Sequence, residues 1–91
     1  MTSAEIEIHV REVLAQRAKI SHDIAAAGAE AKVSVTDSLY DAGMTSHATV
    51  KVMLGLEDRF DLEFPDELLQ RSVFDRIENI VHAIEKLLTD R

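Results

Sequence analysis

Apolar residues at Ile6, Val10, Val13, Leu14 and Ala18 recur at three- and four-residue steps, the repeat that lays one stripe along a helix. Thr2 followed by Glu5 is a capping-box signature, so the pattern predicts a first helix from Ser3 to about Lys19. Ile6 to Val10 also alternates briefly as a strand does, but one strand has no partner and the downstream spacing favours a helix. From Ser21 to Thr45 the periodicity fades. A helical turn from His22 to Ala27, stopped at Gly28, is expected there, with an irregular path to Val35. So long a connection needs anchors, and Val33, Val35, Leu39 and Tyr40 are the apolar residues available. Leu39 in particular is expected to be buried.

Helical spacing resumes after Gly43, whose lack of a side chain gives the backbone freedom just ahead of Thr45 and Ser46, either of which can cap a second helix. On a helical wheel Thr49, Val52, Met53, Leu56 and Phe60 share the arc that would face a core. Ser46, Val50, Leu54 and Glu57 line the opposite arc, flanked by His47, Lys51 and Asp58, so two aliphatic residues stand on a charged face. Pro65 is placed to open a short third helix, with Asp66 and Glu67 complementing its dipole, Leu68 and Leu69 pointing inward and an end near Gln70. Ser72 or Asp75 can cap a last helix carrying Ile77, Ile80, Val81, Ile84, Leu87 and Leu88 at helical spacing. The expectation is an all-α bundle of four helices with a long loop between the first two and a short third helix, forming a single domain over residues 1–91.

Composition narrows the chemistry. With 46% hydrophobic and 30% charged residues the chain should fold, and its 91 residues suit one modest core. No cysteine is present, so the polypeptide offers no thiol, disulfide or thiolate zinc ligand of its own. His9, His22, His47 and His82 are scattered without metal-ligand spacing and read as surface imidazoles. Seventeen acidic against ten basic residues give a formal charge of −7, which disfavours nucleic acid and anionic membranes and favours basic protein partners. The start MTSAEIEIHV lacks a basic stretch followed by an apolar one, and no uncharged run approaches the roughly 20 residues of a membrane span. A cytoplasmic monomer is expected.

Ser46 is the candidate chemical centre. At the start of a helix, just after a glycine, a hydroxyl is reachable and an anion attached to it would meet unpaired N–H groups and the positive end of the dipole. The plainer reading is that Ser46 only caps the helix. The segment resembles acyl carrier proteins in the order glycine, two residues, serine, three residues, valine from Gly43 to Val50, in Met53-Leu54-Gly55-Leu56-Glu57-Asp58-Arg59-Phe60, and in Phe64-Pro65-Asp66-Glu67. The likeness runs from about Leu39 to Leu88.

That resemblance implies that Ser46 carries 4′-phosphopantetheine, transferred from coenzyme A by a phosphopantetheinyl transferase, with an acyl or aminoacyl group held on its thiol. It implies a carrier without catalysis of its own, serving an acyl- or amino acid-loading ligase and downstream acyl-transfer enzymes. His47, Val50, Lys51, Leu54, Glu57 and Asp58 would then form the recognition surface. Where the family most often has aspartate before the serine and leucine after it, this chain has Thr45 and His47, and Lys51 replaces a common acidic residue. Gly43 to Val50, with Phe64-Pro65-Asp66, is similar to discrete carriers charged by synthetase-like amino acid:carrier protein ligases. The dense negative run of Glu57, Asp58, Asp61, Glu63, Asp66 and Glu67 around a lone Arg59 would steer basic partners.

Other classes fit less well. Ser46 and His47 are adjacent on a helix and point about 100° apart, so they make no nucleophile and base pair. Glycines at 28, 43 and 55 are too dispersed for a phosphate loop, and no stretch has the ligand order of an EF-hand. Met44 reads as a core filler before it reads as the lip of a cargo pocket. A small helical interaction module that is never modified, using Val50 and Leu54 as a groove for a partner helix, would share the same fold.

Overall fold

The computed structural model describes residues 1–18, 22–25 and 32–90. Four α-helices stand among them: α1 Ser3–Arg17, α2 Ser46–Phe60, α3 Arg71–Phe74 and α4 Ile77–Thr89. Helix α1 packs against both α2 and α4, and α3 packs on α4. Among the described residues none lies in a strand and no helix is long and apolar enough to cross a membrane. The four-helix bundle expected from the spacing is the architecture observed.

Helix α1 opens with the predicted capping box: the Glu5 amide donates to Thr2 Oγ1 at 3.2 Å and the Thr2 amide to Glu5 Oε1 at 3.2 Å. The Thr2 backbone N–H, and after it the hydroxyl, hold the Glu5 carboxyl below its ordinary range by stabilising the anion. Ile6, Val10, Val13, Leu14 and Ala18 are all buried, as their stripe requires. The expected extension to Lys19 and the stop at Gly28 lie outside the described residues; the turn predicted from His22 is a 3₁₀ turn, His22–Ala25, with Ile24 fully buried. Where α1 crosses α2, a Cβ on Gly55 would sit 2.9 Å from Val13 Cγ1, so a glycine lets the two backbones approach.

The long connection is pinned by polar as well as apolar contacts. Leu39 is fully buried, as expected, with Val33, Val35 and Tyr40 packed partly against the core. Arg11 is only 1% exposed, and its Nη1 donates to the carbonyls of Ile24 (3.1 Å) and Val33 (2.9 Å) while Nε donates to Glu7 at 2.7 Å. A charge so deeply buried persists because backbone oxygens and a carboxylate satisfy it. Further along, Leu39 N–H donates to Asp75 C=O at 2.7 Å and Ser38 Oγ to the Asp75 carboxylate at 2.9 Å. Gly43 has φ +114°, in the region that favours glycine, and Met44 beyond it is buried in the core.

Two expectations for the second half need correction. Pro65 does not open the third helix: it is extended and precedes a 3₁₀ turn, Asp66–Leu68, and α3 follows as a separate single turn from Arg71. Phe74, 3% exposed, stacks edge-on against buried Phe64 with centroids 5.4 Å apart, so Phe74 anchors this segment to the core and Leu69 is left 44% exposed instead of pointing inward. Nor does Ser72 or Asp75 cap α4. Arg76 holds that position without a side-chain bond, Ser72 lies inside α3, and the Asp75 carboxylate is engaged by Ser38. The loop substitutes for a side-chain cap, because Val35 C=O accepts the Glu78 amide at 3.1 Å.

Replacing Arg11 with methionine keeps much of the stem but strands buried carbonyls of the connection. A loss of about 2–4 kcal/mol is expected in urea unfolding, with faster amide exchange across residues 33–44. An unchanged urea midpoint would show that the guanidinium does not hold the loop.

Candidate functional site

Thr45 decides how α2 begins. Its backbone is extended, its Oγ1 accepts the Ala48 amide at 3.0 Å, and the Thr49 hydroxyl donates back to the Thr45 carbonyl at 2.9 Å. Of the two capping candidates in the sequence, Thr45 therefore takes the role. Ser46 becomes the first helical residue, exposed, with no hydrogen bond to its hydroxyl among the described residues. The first-turn amides of Ser46 and His47 precede the intrahelical ladder, so this hydroxyl stands at the electropositive tip of a 15-residue helix. A phosphate ester formed there would be favoured electrostatically.

The rest of the predicted face is largely as its spacing implies. Val50 and Leu54 are 52% and 49% exposed on the same side as Ser46, and His47, Lys51 and Asp58 are exposed beside them. On the inner side Val52, Leu56 and Phe60 are buried, with Thr49 and Met53 half-buried. Glu57 is the exception. It is half-buried, and its Oε2 accepts the Phe64 amide at 2.9 Å, tying the end of α2 to the following loop. Asp61, at φ 53°, turns the chain there, with its own amide and that of Leu62 both donating to Glu57 C=O. Glu57 thus has a structural task that the wheel did not reveal.

Arg59, the lone cation of the acidic run, turns toward α1, where Nη1 donates to His9 Nδ1 at 2.9 Å and reaches Glu12 at 3.4 Å. Asp58 and Glu63 are exposed, with Asp61, along a negative end of the molecule. His9 departs from a plain surface imidazole: its ring packs edge-on against Phe60 with centroids 5.6 Å apart. Among the described residues no cluster of histidine and acidic side chains could hold a metal ion.

Between α2 and the Leu69 to Phe74 segment lies a notch of about 260 Å³, lined by Thr49, Val50, Met53, Leu69, Gln70, Arg71 and Phe74. Its lining is mostly apolar. Arg71 stands at its edge with the guanidinium carbon 3.8 Å from the Tyr40 ring centroid, and the Tyr40 hydroxyl lies 3.3 Å from that of Thr49, one turn beyond Ser46. Neither Leu69 nor Arg71 was distinguishable as a site residue in the sequence, since only the break between the two short turns brings them beside α2.

The family model for the phosphopantetheine attachment site matches residues 9–84. The chain belongs to that family. A curated aminoacyl carrier protein from Agrobacterium fabrum (strain C58 / ATCC 33970) is 38% identical over 79 residues, 87% of this chain and 88% of the relative. The fold is also similar to a chain in the crystal structure of an engineered Bradyrhizobium japonicum glycine:[carrier protein] ligase complexed with carrier protein from Agrobacterium tumefaciens and ATP. There the TM-score is 0.76 at 33% identity, covering 89% of this chain and 97% of the other. A protein of Agrobacterium tumefaciens solved in solution matches with a TM-score of 0.65 at 34% identity, covering 97% and 94%. The protein is therefore a carrier that works with partner enzymes through 4′-phosphopantetheine, and not an enzyme.

The divided duties of the acidic residues can be separated by substitution. Glu57→Ala is expected to lower stability by about 1 kcal/mol through loss of the bond to Phe64, and Asp58→Ala to stay within about 0.5 kcal/mol of the parent. Matched urea curves for all three proteins would remove the structural role given to Glu57.

Proposed function

We propose that residues 1–91 act as one carrier domain in which Ser46 bears the 4′-phosphopantetheine, and that its cargo is an aminoacyl group. One observation carries the attachment site: Thr45 caps α2, which leaves the Ser46 hydroxyl exposed and unengaged at the helix tip. The plainer reading of Ser46 as a cap loses its basis, because that bond is already made. When bound, the group supplies the thiol that this cysteine-free chain lacks and holds cargo as a thioester.

The chain's own residues provide the handle. The tip of α2 offers N–H groups and a positive dipole to the phosphodiester, and Met44 and Leu39, buried just upstream, keep that tip fixed relative to the core. His47, Val50, Lys51, Leu54 and Asp58 face outward for a phosphopantetheinyl transferase, a loading ligase and downstream acyl-transfer enzymes in turn; Glu57 contributes charge while bracing the loop. Aminoacyl cargo is supported by the 38% identity to an aminoacyl carrier protein and by the likeness to a chain in a complex of an engineered glycine:[carrier protein] ligase with a carrier protein. The absence of aspartate and leucine on either side of Ser46 accords with a specialised partner set. We place the carrier in the cytoplasm, where coenzyme A and ATP-dependent ligases operate.

Intact-mass measurement after incubation with coenzyme A and a phosphopantetheinyl transferase tests the attachment. The parent chain is expected to gain one phosphopantetheine and a folded Ser46→Ala variant none. A gain that persists in the variant would assign the arm to another residue.

A further inference from the structure

We propose that the notch between α2 and α3 receives an apolar side chain of the loading ligase, with Arg71 pairing a carboxylate beside it on that enzyme. The inference rests on the aminoacyl-carrier reading above and adds to it a second docking element, opposite in charge to the acidic end of α2.

Three features point to a protein side chain as the occupant. Val50, 52% exposed on the outer face of α2, also lines the notch, so the notch continues the partner-facing ridge of Val50 and Leu54. Leu69, 44% exposed on the opposite wall, supplies a second apolar surface left open to solvent. At about 260 Å³ the space is below the roughly 300–1,000 Å³ usual for small-molecule pockets and suits a single inserted side chain.

The electrostatics argue against the cargo itself. An aminoacyl thioester ends in an ammonium group, which Arg71 would repel and which Val50, Met53, Leu69 and Phe74 could not solvate. Arg71 is exposed, lies over the Tyr40 ring, and pairs with no carboxylate among the described residues. The contact with the Tyr40 ring holds the guanidinium at the edge of the notch, and a guanidinium there has N–H donors with which to form a fork-like bond to a carboxylate. Lys51, on the far flank of the Val50 and Leu54 ridge, likewise has no ion pair among the described residues. Two cations without ion pairs among the described residues therefore flank the apolar ridge, although the chain carries a net charge of −7. Its complement is an enzyme surface with an aliphatic or aromatic residue beside an acidic one, and basic residues farther away to meet Asp58, Asp61 and Glu63.

The test uses the phosphopantetheinylated carrier with a glycine:[carrier protein] ligase, ATP and glycine, and measures KM and kcat for the carrier by mass spectrometry of the glycyl thioester. Arg71→Glu and Leu69→Ser are each expected to raise KM about tenfold or more with kcat within about twofold. Lys86→Glu, an equal charge change on α4, is expected to leave both unchanged, and phosphopantetheine transfer to all variants should proceed as in the parent. An unchanged KM in Arg71→Glu and Leu69→Ser, with the parent carrier efficiently loaded, overturns the docking proposal alone. Failure of the parent carrier to be loaded overturns the aminoacyl reading and the proposal with it. Amide NMR supplies a second arm: Leu69 and Phe74 should shift when ligase is added and stay fixed when glycine alone is attached. Shifts on glycyl attachment without ligase would assign the notch to cargo and overturn the proposal.

Discussion

The Leu39 amide donates to the Asp75 carbonyl at 2.7 Å, joining the middle of the long connection to the junction of α3 and α4. Around that bond Leu39 is buried without exposure, Ser38 grips the Asp75 carboxylate, and Val35 supplies the carbonyl that starts α4. Arg11 holds the earlier part of the same connection through Val33 and Ile24. A loop of this length ordinarily moves, and the Ser46 hydroxyl at its end would move with it. Here the chain reaches Gly43 already fixed to two elements of the bundle, so the start of α2 has a defined place.

Helix α2 can then divide its circumference. Val52, Leu56 and Phe60 enter the core, Gly55 lets α1 come close, and Ser46, His47, Val50, Lys51, Leu54 and Asp58 stay exposed on the remaining side. Along that side the charged side chains differ: Arg71 and Lys51 flank the apolar ridge, whereas Asp58, Asp61 and Glu63 gather at the far end, where Arg59 has been drawn away to His9 and Glu12. A surface with such polarity orients an encounter as well as attracting one, which matters for a carrier that must offer one arm to successive enzymes.

Much of this was legible in the residues because it depends on local rules. The stripe of α1, its capping box, the inner and outer arcs of α2, the burial of Leu39 and the glycine at 43 all follow from spacing and backbone sterics, and the structure agrees at each. The misreadings share a cause. Pro65, Ser72 and Asp75 carry sound local signals for helix starts, but burial of Phe74 against Phe64 and the reach of the connection to Glu78 and Asp75 override them. Glu57 looked like a free surface charge because its partner, the Phe64 amide, is a backbone group that no pattern announces. Arg11 and Arg71 were overlooked for a similar reason, since one is buried against carbonyls of a segment without periodicity and the other finds Tyr40 across the fold.

The central claim is that Thr45 closes the helix start and so leaves the neighbouring hydroxyl free to accept the arm. Its most direct test is the rate of phosphopantetheine transfer to Thr45→Ala and Thr45→Asp variants, read beside their unfolding midpoints. Aspartate caps as well as threonine and should retain the parent rate and stability, while alanine should lose about 1 kcal/mol and slow transfer as Ser46 is drawn into the vacated role. Equal rates and equal midpoints for the alanine and aspartate variants would contradict the account.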